Sequence, residues 1–299
     1  MKKREKAAIV CCSNGLSAEE QEKILRVQEK LSEFGLQPLA SRYLYAKESI
    51  FSGTAAERAG SLMEFFKEKE VKVIFDVSGG DIANEILPFL DFGEIAASEA
   101  VFCGYSDLTT VMNAIYTMTG KASLWYQAKN LVGKEEAWQC SVFPEAFLNE
   151  AWPGEKDAGE KGFAGELLQL RYEFMQGTSM QGIVVGGNVR CLLKLAGTPY
   201  WPDMKGKLLF LEARSGSQAQ MVAYLNQLKQ MGVFEQINGI LLGTFLQLEK
   251  EETGVSMADL VRRYAGEKLP VARTADVGHR SGSRALWIGR EYVFKKEQQ

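Results

Sequence analysis

Apolar and polar positions alternate in a regular way along the first 130 residues. Short continuous apolar runs, typical of strands buried on both faces, are separated by stretches in which apolar residues recur every three or four positions. The apolar runs are KAAIVCCS, QPLASRYLY, VKVIFDVSGG and EAVFCGYS, and the stretches between them are SAEEQEKILRVQEKLSEFG, AAERAGSLMEFFKEK and DIANEILPFLDF. This alternation predicts a parallel sheet covered by helices on both faces, which is a doubly wound α/β domain.

Local signals predict where the helices of this half begin and end. Ser17 with Glu20 three positions later has the form of a capping box, and Gly35 follows the last periodic residue of the same stretch. Pro88 interrupts the third helical stretch.

The pattern changes after the first half of the chain. Residues 146–179 are polar and glycine-rich without a sustained period, which predicts a connector or a flap over a site. Short apolar runs then dominate residues 180–299, with one clear helix, SQAQMVAYLNQLKQMG, among them. The predicted organisation is an N-terminal α/β domain (1–145), the connector, and a smaller, β-rich C-terminal domain.

Composition and charge narrow the class of protein. The 299 residues are 46% hydrophobic and 24% charged, with a net charge of −3 and a pI near 5.6. This balance gives no basic field for nucleic acid, and no apolar run approaches the ~20 residues that span a bilayer. The apolar stretch 7–12 is too short for a signal peptide. We therefore expect a cytoplasmic protein with neither nucleic acid nor membrane as a partner.

Cysteine and histidine usage argues against a metal site. The cysteines are odd in number and show no CxxC spacing, and His279 is the only histidine. Cys103 competes with Ser106 as a nucleophile, but it lies inside an apolar run and we expect it to face the core. No G-x-G-x-x-G follows a strand, so no dinucleotide cofactor is expected.

Three polar residues at strand ends have the chemistry of a hydrolase. Ligands of α/β sheets lie beyond the carboxyl ends of the strands, where Ser106, Glu212 and His279 follow apolar runs. A serine hydroxyl is a weak nucleophile, so His279 would accept its proton and Glu212 would orient the imidazole. The N–H of Asp107 and that of Gly80, in the Gly79–Gly80 pair, would stabilise the oxyanion.

Each of these residues also has a non-catalytic explanation. Ser106 could be a helix N-cap, Glu212 a surface carboxylate paired with Arg214, and His279 a solvated loop residue. The hydrolase pentapeptide G-x-S-x-G is not matched either, because Leu108 stands in place of its second glycine.

Taken together, these residues resemble the LD-carboxypeptidase family of serine peptidases, which includes the microcin C immunity proteins. The likeness runs nearly end to end and is carried by GYSDLTT (104–110), GTPYWPDMKGKLLFLE (197–212) and VGHRSG (277–282). The resemblance implies a flavodoxin-like N-terminal half, a β-rich C-terminal half, an active site between them, and a cytoplasmic homodimer that needs no metal or cofactor.

One departure bears on the substrate. Family members that act on murein carry Arg-Gly-Gly-Tyr-Gly, where this chain has Ser-Gly-Gly-Asp-Ile (78–82). Without that arginine, Asp81 would repel a substrate carboxylate unless Arg190 or Arg214 reaches the site. The motif GGD…N…LPFLD is similar to the microcin immunity branch, in which an asparagine matching Asn188 and a loop tryptophan, here Trp152, bind an aminoacyl-nucleotide amide.

The sequence therefore predicts a serine hydrolase that cleaves the amide of a small peptide-like or aminoacyl-nucleotide substrate. Murein LD-carboxypeptidase activity is the alternative within the family. A non-catalytic two-domain module that closes on a solute is the alternative from another class.

Overall fold

The computed structural model describes residues 5–148, 165–251 and 254–296. Its strands are β1 (Lys6–Val10), β2 (Gln37–Ala40), β3 (Val71–Asp76), β4 (Val101–Gly104), β5 (Ser123–Trp125), β6 (Glu173–Gln176), β7 (Ser179–Asn188), β8 (Leu208–Ala213), β9 (Gly239–Phe245), β10 (Val271–Arg273), β11 (Leu286–Ile288) and β12 (Glu291–Lys295). Its α-helices are α1 (Gln21–Glu33), α2 (Ala55–Lys67), α3 (Phe92–Ala97), α4 (Thr109–Thr119), α5 (Glu136–Phe147), α6 (Val189–Leu193), α7 (Gln218–Gln230) and α8 (Met257–Ala265).

The first sheet has the order β11-β5-β4-β3-β1-β2, and its five N-terminal strands are parallel. The carboxyl ends of β1, β3 and β4 therefore lie at one edge of the sheet, where polar side chains follow each strand. The predicted doubly wound parallel sheet is confirmed. The antiparallel edge strand β11 comes from the last part of the chain and ties the C-terminal half to the first sheet.

The second sheet has the order β12-β7-β8-β9-β10-β6. Its four central strands are parallel, and both edge strands are antiparallel to their neighbours. Side chains of β8 and β9 are buried throughout, which explains why these strands appear as unbroken apolar runs. The prediction of a β-rich second half is confirmed, whereas α6 and α8 were not predicted.

Two local signals had different outcomes. The capping box at Ser17 was wrong: Ser17 precedes a 3-10 turn, its side chain makes no capping bond, and Glu20 instead accepts a hydrogen bond from Lys129 Nζ at 2.8 Å. Gly35 does end α1, with a φ of 86° and a bond from the next N–H back to the Leu31 carbonyl.

Part of the predicted connector lies in the described residues. Residues 165–179 contain a 3-10 turn at Glu166–Leu168 and the strand β6, which pairs with β10. The boundaries drawn at residues 145 and 180 stay a prediction. No described helix combines the length and the apolar character needed to cross a membrane.

Candidate active site

Ser106 lies in a sharp turn between β4 and α4. Its φ of 55° is in the left-handed region, which a serine adopts at a cost of order 1–3 kcal/mol. Ser106 is the first residue of the 3-10 turn Ser106–Leu108, which leads into α4. The N-cap positions of this turn and of α4 are occupied by Tyr105 and Leu108, and neither makes a side-chain capping bond. The N-cap interpretation of Ser106 is therefore wrong. The turn has the strained strand-to-helix form that displays a nucleophile.

Glu212 and His279 form a buried hydrogen-bonded pair. Glu212 Oε2 lies 2.6 Å from His279 Nδ1, and Glu212 Oε1 accepts a bond from Asn188 Nδ2 at 2.9 Å. The exposed fraction is 0% for the Glu212 side chain and 4% for the His279 side chain, whereas Arg214 is exposed. Both alternative explanations, a surface carboxylate and a solvated loop histidine, are therefore wrong.

The bonding of the imidazole assigns its tautomer. With Nδ1 donating to the Glu212 carboxylate, the neutral ring has its lone pair on Nε2. This Nε2 atom is buried and has no hydrogen-bond partner among the described residues. The ring packs against Tyr105, the neighbour of Ser106, with ring centroids 5.0 Å apart. No hydrogen bond joins Ser106 to His279, which is common at catalytic centres before substrate tightens them.

The loop that carries His279 is fixed by a carboxylate. Asp276 accepts bonds from the Arg171 N–H at 2.8 Å and from Arg171 Nη2 at 2.6 Å, and Arg284 Nε lies 3.4 Å from the same carboxylate. Burial raises the pKa of Asp276, but the bonds and charge of Arg171 outweigh it and hold the pKa below its usual range. The loop is thus held by an ionised group at neutral pH.

Thr109 connects the Ser106 turn to the Glu212 side of the site. Its hydroxyl donates to the Ser106 carbonyl at 2.6 Å and accepts from the Asn188 N–H at 2.9 Å. A Cβ on Gly187 would lie 2.6 Å from Thr109 Oγ1, so only glycine allows the strand to come this close. A continuous chain of bonds therefore runs from the Ser106 backbone through Asn188 to Glu212.

Replacing Thr109 with Val is expected to lower kcat by roughly 10- to 100-fold with little change in KM, because a misplaced reacting group costs rate rather than substrate binding. Thr109→Ser keeps the hydroxyl and is expected to restore most of kcat. Steady-state kinetics check this, with Thr119→Val as the matched control, since that hydroxyl bonds the Ile115 carbonyl at the other end of α4. Equal kcat for Thr109→Val and Thr119→Val would contradict the positioning role.

The side chain of Asp107 belongs to a buried polar network. Its carboxylate accepts bonds from Ser13 Oγ at 2.7 Å, the Ala83 N–H at 2.8 Å and Lys194 Nζ at 2.5 Å. These bonds fix the turn on which Ser106 lies and tie it to the segment that follows Gly80. Gly80 has a φ of 128°, and a Cβ there would lie 2.2 Å from the Asn14 side chain, so the position requires glycine. The oxyanion roles of the Asp107 and Gly80 N–H groups stay predictions.

Asp81 is not the isolated anion that the sequence suggested. Its carboxylate pairs with the Arg190 guanidinium and lies 3.8 Å from Lys194 Nζ. Arg190 also donates to the Gly80 carbonyl at 3.3 Å. The alternative in which Arg190 reaches the glycine pair is therefore the arrangement that the structure has. A free Asp81 charge does not repel a substrate carboxylate here, because two cations balance Asp81 and Asp107.

Two further residues, Asn188 and Trp152, were predicted to contact the substrate. The Asn188 amide bonds Glu212 and caps α6 through the Cys191 N–H at 3.4 Å, so its atoms are engaged within the protein. Its contact with substrate stays a prediction. Trp152 lies outside the described residues.

The described part of the chain supports neither Cys103 as a nucleophile nor a metal site. Cys103 is fully buried, and burial raises its pKa well above the usual range, so its thiolate is not available. Within residues 5–148, 165–251 and 254–296, no group of three or more His, Cys, Asp or Glu side chains is placed to bind a metal.

Comparisons with known proteins match both halves of the chain. Residues 7–126 match the LD-carboxypeptidase N-terminal domain, and residues 181–293 match the LD-carboxypeptidase C-terminal domain. A probable murein peptide carboxypeptidase of Bacillus subtilis (strain 168) is 31% identical over 265 residues, which cover 87% of this chain and 80% of the relative. The microcin C7 self-immunity protein MccF of Escherichia coli is 27% identical over 282 residues, covering 84% and 79%.

The fold has solved counterparts. The structure of MccF in complex with glutamyl sulfamoyl guanosine matches this chain with a TM-score of 0.82 at 20% identity, covering 100% of this chain and 97% of that one. At this identity the likeness establishes the fold. The family resemblance noted from the sequence is confirmed.

Proposed function

The chain belongs to the LD-carboxypeptidase family of hydrolases, and on that premise we propose that it cleaves an amide bond with Ser106 as nucleophile, His279 as general base and Glu212 as orienting acid. The observation that carries the proposal is the buried Glu212–His279 bond at 2.6 Å, which leaves His279 Nε2 beside the Ser106 turn with no partner among the described residues.

The reaction follows from these positions. Ser106 Oγ attacks the amide carbonyl while His279 Nε2 accepts its proton, and Glu212 stabilises the imidazolium. The N–H groups of Asp107 and Gly80 hold the oxyanion. The imidazolium then protonates the leaving amine, and an acyl ester remains on Ser106. Water, deprotonated by His279, releases the acid and restores the serine.

We propose an aminoacyl- or peptidyl-nucleotide amide as the preferred substrate. The motif around Gly80 and Asp81 resembles the microcin immunity branch, and a solved relative of the same fold is bound to glutamyl sulfamoyl guanosine. Murein peptide is the second candidate, favoured by Arg190 beside Gly80 and by the similarity to the probable murein peptide carboxypeptidase of Bacillus subtilis. A guanidinium there can bind a terminal carboxylate once it is released from Asp81.

Turnover of two substrates tests the choice. We expect a glutamyl sulfamoyl nucleotide to be cleaved with a higher kcat/KM than a murein tetrapeptide, measured by mass spectrometry of the products. Comparable values, or a murein preference that persists in both Arg190→Ala and Arg214→Ala, would contradict it. A murein preference that disappears in Arg190→Ala alone would support the second candidate.

The family resemblance also supports a cytoplasmic homodimer, which we include in the proposal. Sedimentation at micromolar protein concentration tests the dimer, and a mass of about 33.2 kDa would contradict it.

A further inference from the structure

A cavity of about 480 Å³ opens beside the proposed base. Its walls include His279, Gly278 and Tyr105, the residue that precedes Ser106. This volume lies in the range of small-molecule sites. A ligand that fills the cavity would therefore lie against His279 and against Tyr105, the chain neighbour of Ser106.

The walls of this cavity carry positive charge and no carboxylate. They are formed by Lys23, Tyr105, Gln127, Lys129, Asn130, Gly133, Lys134, Gly278, His279, Arg280 and Ser281. Lys129 is paired with Glu20 at 2.8 Å and Arg280 with Glu249 at 2.7 Å. Lys23 and Lys134 form no ion pair with any residue that the structure describes.

Gln127 supplies an unused donor in the same wall. Only 7% of this residue is exposed, and its Oε1 accepts a bond from the Lys129 N–H at 3.0 Å. Its Nε2 is buried and has no partner among the described residues. A buried donor without a partner is unfavourable, and a hydrogen bond to a ligand oxygen would remove that cost.

Other cations act on Lys23. Burial lowers the pKa of Lys23, the neighbouring charges of Lys129 and Arg26 lower it further, and Glu20 opposes this shift. Glu135 lies close by, against Gly282, but it is not part of the wall. An anion in the cavity would relieve this repulsion.

We propose that this cavity is a subsite for an anionic oxygen group of the substrate, which Lys23 and Lys134 attract and to which Gln127 Nε2 donates a hydrogen bond. The inference rests on the proposed function, because it places the anion next to the amide that Ser106 attacks. The group is a carboxylate of a peptide or the phosphoryl group of a nucleotide amide, since both present the same oxygens to ammonium and amide donors.

Binding to a Ser106→Ala protein tests the subsite without catalysis. Calorimetry compares two matched pairs of probes. The first pair is an acyl peptide with Glu and the same peptide with Gln, which differ in one carboxylate. The second is an aminoacyl adenosine phosphoramidate and its neutral O-methyl ester. We expect the charged member of at least one pair to bind roughly tenfold tighter or more.

Variants assign that preference to the cavity. In the Ser106→Ala background, Lys23→Gln combined with Lys134→Gln should remove it and leave binding of the neutral probe unchanged. Gln127→Glu keeps the acceptor for the Lys129 N–H, removes the donor and should also weaken binding of the charged probe. Lys229→Gln, which removes an exposed lysine of α7, is the matched control.

The outcomes distinguish a carboxylate from a phosphoryl group, and they distinguish failure of the subsite from failure of the proposed function. Preference for the charged peptide alone identifies a carboxylate, and preference for the phosphoramidate alone identifies a phosphoryl group. Equal binding within both pairs, no binding of any probe, or a preference that survives the double lysine variant would overturn the subsite. If the anion binds selectively but the wild-type protein cleaves neither class, the proposed function fails and the subsite stands.

Discussion

Ser106→Ala is expected to lower kcat for amide cleavage by about 10⁶-fold, because loss of the nucleophile removes the covalent route entirely. The fold should survive this change. The serine hydroxyl caps neither the 3-10 turn nor α4, and alanine at a φ of 55° carries the same backbone strain as serine. Steady-state kinetics and a thermal melt of the same preparation measure the two effects.

The matched control is Ser32→Ala, which removes an exposed hydroxyl that bonds the Gln28 carbonyl on α1. We expect it to keep wild-type turnover. If Ser106→Ala retains more than a tenth of the wild-type kcat, Ser106 is not the nucleophile.

His279→Ala is expected to approach the effect of losing the serine, about 10⁶-fold in kcat, whereas Glu212→Gln should cost about 10⁴-fold. The loss in Glu212→Gln has a physical reason in the bonding of the imidazole. A glutamine can still accept the bond from Asn188, but its amide N–H₂ faces His279 Nδ1 and forces the proton onto Nε2. The atom that should accept the serine proton is then already protonated.

Single-turnover kinetics separate the two variants, and Glu235→Gln, an exposed carboxylate far along the sequence from both, serves as the charge control. A Glu212→Gln enzyme with wild-type kcat would show that the carboxylate does not set the tautomer. A His279→Ala enzyme more active than Glu212→Gln would contradict the assignment of the base.

Much of the fold could be predicted from local patterns, because a strand buried on both faces of a parallel sheet is apolar along its whole length. The strands β1, β3 and β8 are continuous apolar runs, and each appears in the structure where the pattern indicated it. The edge strand β6 has only half-buried or exposed residues, so it gave no comparable signal. The pairing of β11 with the first sheet depends on tertiary packing, and no local sequence pattern indicates it.

Only part of the candidate site could be predicted from the sequence. The polar residues Ser106, Glu212 and His279 stand at strand ends, which is why the sequence singles them out. Their environment is set by long-range contacts that one sequence does not reveal. The bond from Asn188 to Glu212 needs two adjacent strands in register, and Thr109 meets Asn188 across the two halves of the molecule.

The pairing of Asp81 with Arg190 shows the same limit. The two residues are 109 positions apart, and only the fold brings the guanidinium to the glycine pair. Charge at a site therefore cannot be judged from neighbours along the chain. The basic wall beside His279 was missed for the same reason, since Lys23, the stretch 127–134 and the His279 loop are far apart along the chain.

Labelling with a serine-directed fluorophosphonate, followed by digestion and mass spectrometry, identifies the nucleophile directly. We expect one modified residue, Ser106, with labelling that becomes far slower in His279→Ala because the base is absent. A modification at another residue, or no modification in a protein that binds an intact solute tightly, would contradict a serine nucleophile at this position.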